Sequence, residues 1–319
     1  VVKIGTLFSG IGSPEEALKK IGIDYELSWA CEIDKYARKS FLANHNPKVF
    51  YEDITKIDET KHEKVNGIIA GFPCQAFSIE GKRQGFQDKR GNLFFDLHRV
   101  LKAVKPDWFI LENVKGLISH DNGNTFTVVN ELLAKRINNQ DLIFINKDSL
   151  RYNIFWKVLN TKDYKIPQNR ERVFIIGFRE DIIDFQFPEK QKLKLRLKDL
   201  LEDKVDEKYF LSKKMVDYIK NAKYRTDRNL IQDKNSFCMC LIAISSTPCI
   251  KMNNKIRYIT PLECFRLQGF SDDFFERCKN AGVSDTQLYK QAGNSIAVNV
   301  LLELFKQVFK SVNKRCVCA

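Results

Sequence analysis

Apolar positions in the first half of the chain fall into short runs that alternate with stretches of helical spacing. Lys3 to Ser9 predicts a strand that breaks at Gly10-Ile11-Gly12. Ser13-Pro14-Glu15-Glu16 then has the marks of a helix start: a capping serine, proline at the first helical position and glutamate three after the serine. Ala17, Leu18 and Ile21 supply that helix with an apolar face, and Gly22 ends it. Leu27 to Cys31 predicts the next strand, and Asp34 caps a helix running to about Asn44. Further strands are expected at Gly67 to Ala70, Trp108 to Glu112, Phe155 to Val158 and Val173 to Gly177, with helices at Leu93 to Val104 and Thr125 to Ala134. Strands alternating with helices argue for an α/β fold with a parallel sheet covered on both faces.

The alternation stops after Phe178. Residues 181–256 are irregular and lysine-rich, and Val298 to Val312 returns to helical spacing. The expected organisation is a catalytic and cofactor-binding domain at 1–180, a small irregular recognition domain at 181–256, and a return to the first domain at 257–319.

Composition narrows the class. The 319 residues are 44% hydrophobic and 29% charged, and no apolar stretch is long enough to span a bilayer. The start lacks the layout of a signal peptide. Nine scattered cysteines suit a reducing, cytoplasmic setting better than a disulfide framework, and none of their spacings sets up zinc. The formal net charge of +13 favours a polyanionic partner, most simply nucleic acid, although a solvated lysine surface would give the same number. Six basic and two acidic residues fall between Lys213 and Arg228.

Two stretches carry candidate chemistry. Phe8-Ser9-Gly10-Ile11-Gly12 joins a strand to a helix, where glycine lets a ligand approach the backbone and the helix start offers free N–H groups. Glu32 lies 20 residues beyond Gly12, where an acid takes ribose hydroxyls in dinucleotide folds. Glu15 stands in place of the third glycine of that fingerprint, which favours an adenosine ligand without phosphates. The second stretch is Gly71-Phe72-Pro73-Cys74-Gln75-Ala76-Phe77-Ser78, at the end of an apolar run. A cysteine there is either a small buried thiol or a nucleophile placed where a strand breaks into a loop.

These stretches occur in order with Leu111-Glu112-Asn113-Val114, Gln168-Asn169-Arg170-Glu171-Arg172, the segment Arg257 to Phe270 (RYITPLECFRLQGF) and Gly293-Asn294-Ser295. Together they resemble the ordered motifs of the DNA (cytosine-5)-methyltransferases of the bacterial and phage single-chain kind. The resemblance spans nearly everything except 181–256. It implies a Rossmann-like, mostly parallel sheet and S-adenosyl-L-methionine as cofactor, released as S-adenosyl-L-homocysteine, with no metal. By motif position, Phe8, Gly10 and Gly12 would surround the methionine part, Glu32 would take the ribose and Asp53 the adenine amine. Ile33, Ile54, Phe72, Pro73, Leu93, Asn294 and Ile296 would complete the pocket.

Cytosine C5 is too weak a nucleophile to attack a methyl group unaided. A thiolate added to C6 pushes electron density onto C5, and the resemblance gives that role to Cys74. Glu112 would assist at N3, Arg172 would hold the cytosine O2, and Arg170 would support the acid or a phosphate. The target base must first leave the duplex. The loop Ser78 to Arg90 resembles the family loop that closes over it, so Gln75, Ser78, Lys82 and Arg83 are expected to touch DNA, together with Lys213 and Lys214. The implied partner is double-stranded DNA, bound by a monomer, with no direct contact to any companion restriction endonuclease. Thr247-Pro248 stands where the family commonly has Thr-Leu. An RNA cytosine methyltransferase, a cysteine hydrolase drawing on His45, His62, His98 or His120, and a DNA-binding protein without catalysis remain as alternatives at this point.

Overall fold

The computed structural model describes residues 1–58, 63–73, 93–180, 184–221, 231–243, 248–252 and 255–316. Its main sheet is built from β1 (Val2–Leu7), β2 (Tyr25–Cys31), β3 (Val49–Tyr51), β4 (Gly67–Gly71), β5 (Trp108–Val114), β6 (Ala134–Ile137), β7 (Gln140–Asp141), β8 (Tyr152–Asn160) and, beyond the two-residue β9 (Gln168–Asn169), β10 (Glu171–Phe178). The strand order is β3-β2-β1-β4-β5-β10-β8-β6-β7. Strands β1 to β5 run parallel to one another, whereas β10 is antiparallel to both neighbours. The carboxyl ends of β1 to β5 therefore share one edge, and the reversed β10 begins at that edge.

Alternation along the strands divides the core into two layers. Ile4, Ile69, Ile110, Phe174 and Ile176 face one side, against α1 (Ser13–Ile21), α2 (Lys35–Leu42) and the long C-terminal helix. Ile68, Ala70, Phe109, Leu111, Val173 and Ile175 face the other, against α3 (Leu93–Val104) and α4 (Asn124–Leu133). In α3 the buried residues Phe94, Leu97, Val100, Leu101 and Val104 form a single stripe. Gly5, Gly67 and Gly177 make room for rings on the adjoining strand: a Cβ at each would lie 2.1–2.2 Å from Trp29, Trp108 and Phe109.

Beyond β10 come α5 (Lys213–Asn221), β11 (Ile231–Gln232), β12 (Cys238–Met239), β13 (Cys249–Met252) and β14 (Lys255–Tyr258). Strands β11, β13 and β14 form a small separate sheet, while β12 pairs with β9. The chain then returns through α6 (Pro261–Leu267), α7 (Asp272–Asn280), α8 (Asp285–Asn294) and α9 (Val298–Cys316). Helix α9 packs on α1 and sets Phe305 and Phe309 edge-on to Trp108.

Several local details depart from the sequence reading. Ser13 is not the cap of α1: Gly12 holds that position at φ 95°, without a side-chain cap, and Ser13 is buried in the first turn. Asp34 does cap α2, accepting from Tyr36 and Ala37 N–H. The antiparallel pair β6–β7 turns at Asn138 and Asn139, both at positive φ. Among the described residues, no helix is long and apolar enough to cross a membrane.

Candidate active site

Each strand ending at the shared edge delivers one or more side chains to a single cavity of about 390 Å³. Phe8 and Gly10 come from the end of β1, Glu32 and Ile33 from β2, Asp53 and Ile54 from β3, Phe72 and Pro73 from β4, and Glu112 from β5. Leu93 at the start of α3 and Asn294 at the end of α8 close the wall.

The first turn is shaped for close approach. Phe8 lies at φ 52° and Gly10 at φ 57°, so the chain doubles back and presents its backbone to the cavity. Glu32 holds this turn, accepting from Gly10 N–H through Oε2 and from Asp34 N–H through Oε1, both at 2.8 Å. Burial raises its proton affinity, and the backbone donors oppose that. Asp53 commits Oδ1 to Thr55, while its Oδ2 lies 3.8 Å from Lys56 Nζ. Ile33, 71% exposed at the rim, offers apolar surface to a flat ring.

Gly12 and Ile296 stand behind the wall rather than in it. A Cβ on Gly12 would lie 2.3 Å from the His45 ring, so the glycine there lets α1 pack on His45. Ile296 reaches within 3.3 Å of the Cβ position of Gly71.

Of the catalytic candidates among the described residues, Glu112, Arg170 and Arg172 all line the cavity. Glu112 Oε2 lies 3.4 Å from where a Gly71 Cβ would be, so the acid adjoins the β4 loop directly. Arg172 Nε lies 3.1 Å from Glu112 Oε1. Burial pushes the Glu112 carboxyl up from its ordinary range, while the charges of Arg172 and then Arg170 pull it down. Asn113, also buried, donates to Phe72 O at 2.9 Å and fixes the backbone two residues before Cys74. Cys74 itself, with Gln75, Ser78, Lys82 and Arg83, lies outside the described residues, as does Thr247. Lys213 and Lys214 are exposed on α5.

Arg170 is 2% exposed. Its Nη1 donates to Leu241 O, and its Nη2 donates to Gly293 O and Ser295 O. Those bonds occupy both ends of the fork, which leaves no free terminus for a phosphate. Residues without an assigned role in the sequence reading also gather here. Gln168 bonds Leu241 N–H and Leu267 O, Cys240 Sγ sits 3.8 Å from Arg172 Nη2, and Lys290 pairs with Asp34 at 2.6 Å on the rim. Gln168 was visible in its motif, but nothing in sequence spacing brings Cys240 or Leu241 to the arginines.

The donor set fits S-adenosylmethionine. Among the described lining residues, Glu32, Asp34, Asp53 and Glu112 are acidic, and Arg170, Arg172 and Lys290 already engage partners. Such a wall disfavours phosphates and suits an adenosine carrying a sulfonium cation. No cluster of His, Cys, Asp and Glu among the described residues could hold a metal ion.

Comparison with known proteins agrees with this chemistry. The profile of the family described as C-5 cytosine-specific DNA methylase matches residues 2–237 and 221–310. The type II methyltransferase M.Bsp6I of Bacillus sp. (strain RFL6) is 36% identical over 333 residues, covering 98% of this chain and 100% of that protein. The orphan methyltransferase M.SPRI of Bacillus phage SPR is 32% identical over 447 residues, covering 98% and 99%. In fold, the chain is similar to the crystal structure of the S. pombe Dnmt2 methyltransferase, with a TM-score of 0.75 at 20% identity over 98% of this chain and 100% of that one. The chain belongs to the C-5 cytosine-specific DNA methylase family, and its enzymatic class is cytosine-5 methyl transfer.

Proposed function

We propose that the protein methylates C5 of a cytosine rotated out of a specific duplex DNA sequence, through a covalent bond between Cys74 Sγ and cytosine C6. The observation that carries this reading is the contact between Glu112 and the β4 loop at the end of the cavity, beside Arg172. An acid there can meet N3 of a base whose C6 faces the residue that follows Pro73.

Bound S-adenosylmethionine supplies the methyl group. Phe8, Gly10 and Asn294 surround its amino-acid part, Glu32 binds the ribose hydroxyls, and Asp53 accepts from the adenine amine. Ile33, Ile54, Phe72, Pro73 and Leu93 enclose the ring. Glu112 shares a proton with N3 as the thiolate adds to C6, which keeps negative charge from building on the pyrimidine. Arg172 is held through Nε by Glu112 and through Nη1 by Glu171 O, and its Nη2 turns to the cytosine O2. After methyl transfer, loss of the C5 proton and departure of Cys74 restore the aromatic ring. Residues 181–256 form the recognition segment, with Lys213 and Lys214 on phosphates.

The test is methyl transfer from labelled S-adenosylmethionine to unmethylated duplex DNA and, in parallel, to tRNA. Methylation of DNA, with a stable adduct on DNA carrying 5-fluorocytosine and none in Cys74→Ser, is the expected result. Transfer to tRNA alone would overturn the substrate, and full turnover by Cys74→Ser would overturn the mechanism.

A further inference from the structure

Three segments far apart in the sequence converge on one buried guanidinium. Leu241 belongs to the segment assigned to target recognition, Gly293 and Ser295 flank the cavity-lining Asn294, and Arg170 lies two residues before Arg172. The Arg170 bonds to the three carbonyls are 2.8, 3.0 and 2.9 Å long. Gln168 completes the grip. Its Oε1 accepts from Leu241 N–H at 3.0 Å, so both polar backbone groups of Leu241 are held by side chains of one short stretch. The β9–β12 pairing, Cys238 with Gln168 and Met239 with Asn169, leads into this grip. On the far side Gly293 packs backbone to backbone: a Cβ there would lie 2.4 Å from the carbonyl carbon of Ile242.

We infer that Arg170, with Gln168, is a positioning clamp that couples the placement of the 238–243 segment to the cofactor wall at 293–295. It acts through carbonyls rather than by touching the target base. A planar fork with five fixed donors can hold three carbonyls in different directions, whereas a lysine ammonium at the end of a flexible stem cannot reproduce that geometry. The consequence is reciprocal. A ligand that orders Asn294 steadies Leu241, and a ligand that orders Leu241 steadies Asn294. This inference rests on the proposed function for the identity of the two ligands, while the clamp itself is a property of the free protein.

Hydrogen exchange on the whole chain separates the two. In Arg170→Lys, and independently in Gln168→Met, the Leu241 amide should exchange at least about tenfold faster than in the wild type without any ligand, because its bond opens with the clamp. S-adenosylhomocysteine should slow exchange of Leu241 in the wild type. In Arg170→Lys it should protect the turn at 8–12 but no longer Leu241. In steady-state assays Arg170→Lys should raise KM for both DNA and cofactor about tenfold and leave kcat at saturation within about threefold, since saturating ligands hold the segments themselves. Charge provides an independent check. Arg170→Met should move the alkaline limb of the pH–rate profile upward by removing a charge that favours ionised Glu112, and Arg170→Lys should not. Unchanged Leu241 exchange in both variants, or a hundredfold loss of kcat in Arg170→Lys with unchanged KM, would overturn the clamp. A wild type without methyl transfer to any cytosine substrate would instead overturn the proposed function, and the ligand-free exchange would still decide the clamp.

Discussion

Arg172 and Glu112 are diagonal neighbours across the β5–β10 pair: the register sets Arg172 opposite Val114 and Phe174 opposite Glu112, yet Arg172 Nε reaches Glu112 Oε1 at 3.1 Å. Residues two apart on adjacent strands share a face, so the ion pair follows from register alone. It gives the acid a fixed direction, while burial raises the carboxyl's proton affinity against the pull of the two arginine charges.

Glu112→Gln keeps the shape of that pair and removes the titrating proton. Its methyl-transfer rate should fall on the order of 100-fold or more, the usual scale of general acid catalysis. Affinity for S-adenosylhomocysteine, read by calorimetry, should stay within about threefold. The wild-type rate should decline as pH rises through the raised pKa of Glu112, and the variant should lose that limb. A parallel loss of cofactor affinity would make Glu112 a structural residue.

Glu15 predicts a pH dependence of stability. It is fully buried, accepts from Thr6 Oγ1 at 2.9 Å, and burial pushes its carboxyl from 4.5 to about 7. A folded-state pKa above the unfolded one means that the native protein binds the extra proton. The stabilising contribution is complete below about 4.5 and is lost as pH rises toward about 7. The cost at pH 8 relative to pH 4 is at most about 3 kcal/mol. Glu15→Gln, which retains an acceptor for Thr6, should flatten the dependence of the urea midpoint on pH and raise the midpoint above pH 7. A midpoint that still drops across that window in the variant would assign the effect to another group.

The chain's sequence revealed much of this architecture, for a physical reason. Strand ends and helix starts are set locally, so Asp34, Gly22 and the extent of α3 could be read directly. Phe8, Glu32 and Asp53 follow the ends of their strands and Glu112 lies two residues short of the end of β5, so all four reach the edge where the parallel strands end together. What could not be read were contacts between segments distant in the sequence. Leu241 meets Gln168 and Arg170 across about seventy residues, and no periodicity encodes that meeting. Gly12 is a further case: it lies outside the cavity lining and beside His45, which arrives from beyond the end of α2.

Arg257 and Glu263 form a bidentate pair at 2.8 and 2.7 Å, with 1% and 0% side-chain exposure. The same carboxylate accepts from Thr260 N–H and from Glu202 N–H, which pins the 197–202 segment to the start of α6. Glu263→Gln leaves the Arg257 charge buried without a countercharge and should destabilise the fold by about 3–5 kcal/mol. Denaturant unfolding measures this directly. A loss under about 1 kcal/mol would show that water reaches the arginine.

Lys213 and Lys214 are exposed on α5, within the basic stretch that runs to Arg228. Lysines on phosphates give affinity without sequence information. Replacing both with glutamine should weaken DNA binding across sequences and lower the log–log salt slope by up to roughly one unit for each phosphate no longer neutralised. The methylated sequence, read by bisulfite conversion, should stay the same. A changed target with an intact slope would place these lysines in a groove instead.

The cavity wall begins at Phe8 and Gly10 and is completed by Lys290, Gln291, Gly293, Asn294 and Ser295. The wall therefore joins two segments that lie far apart in the chain. A growing chain carries Glu112 long before α8 has left the ribosome, and until then the cavity lacks the wall that Lys290 to Ser295 supply. The cavity wall is complete only once the segment around Asn294 docks, next to α9 packed on α1.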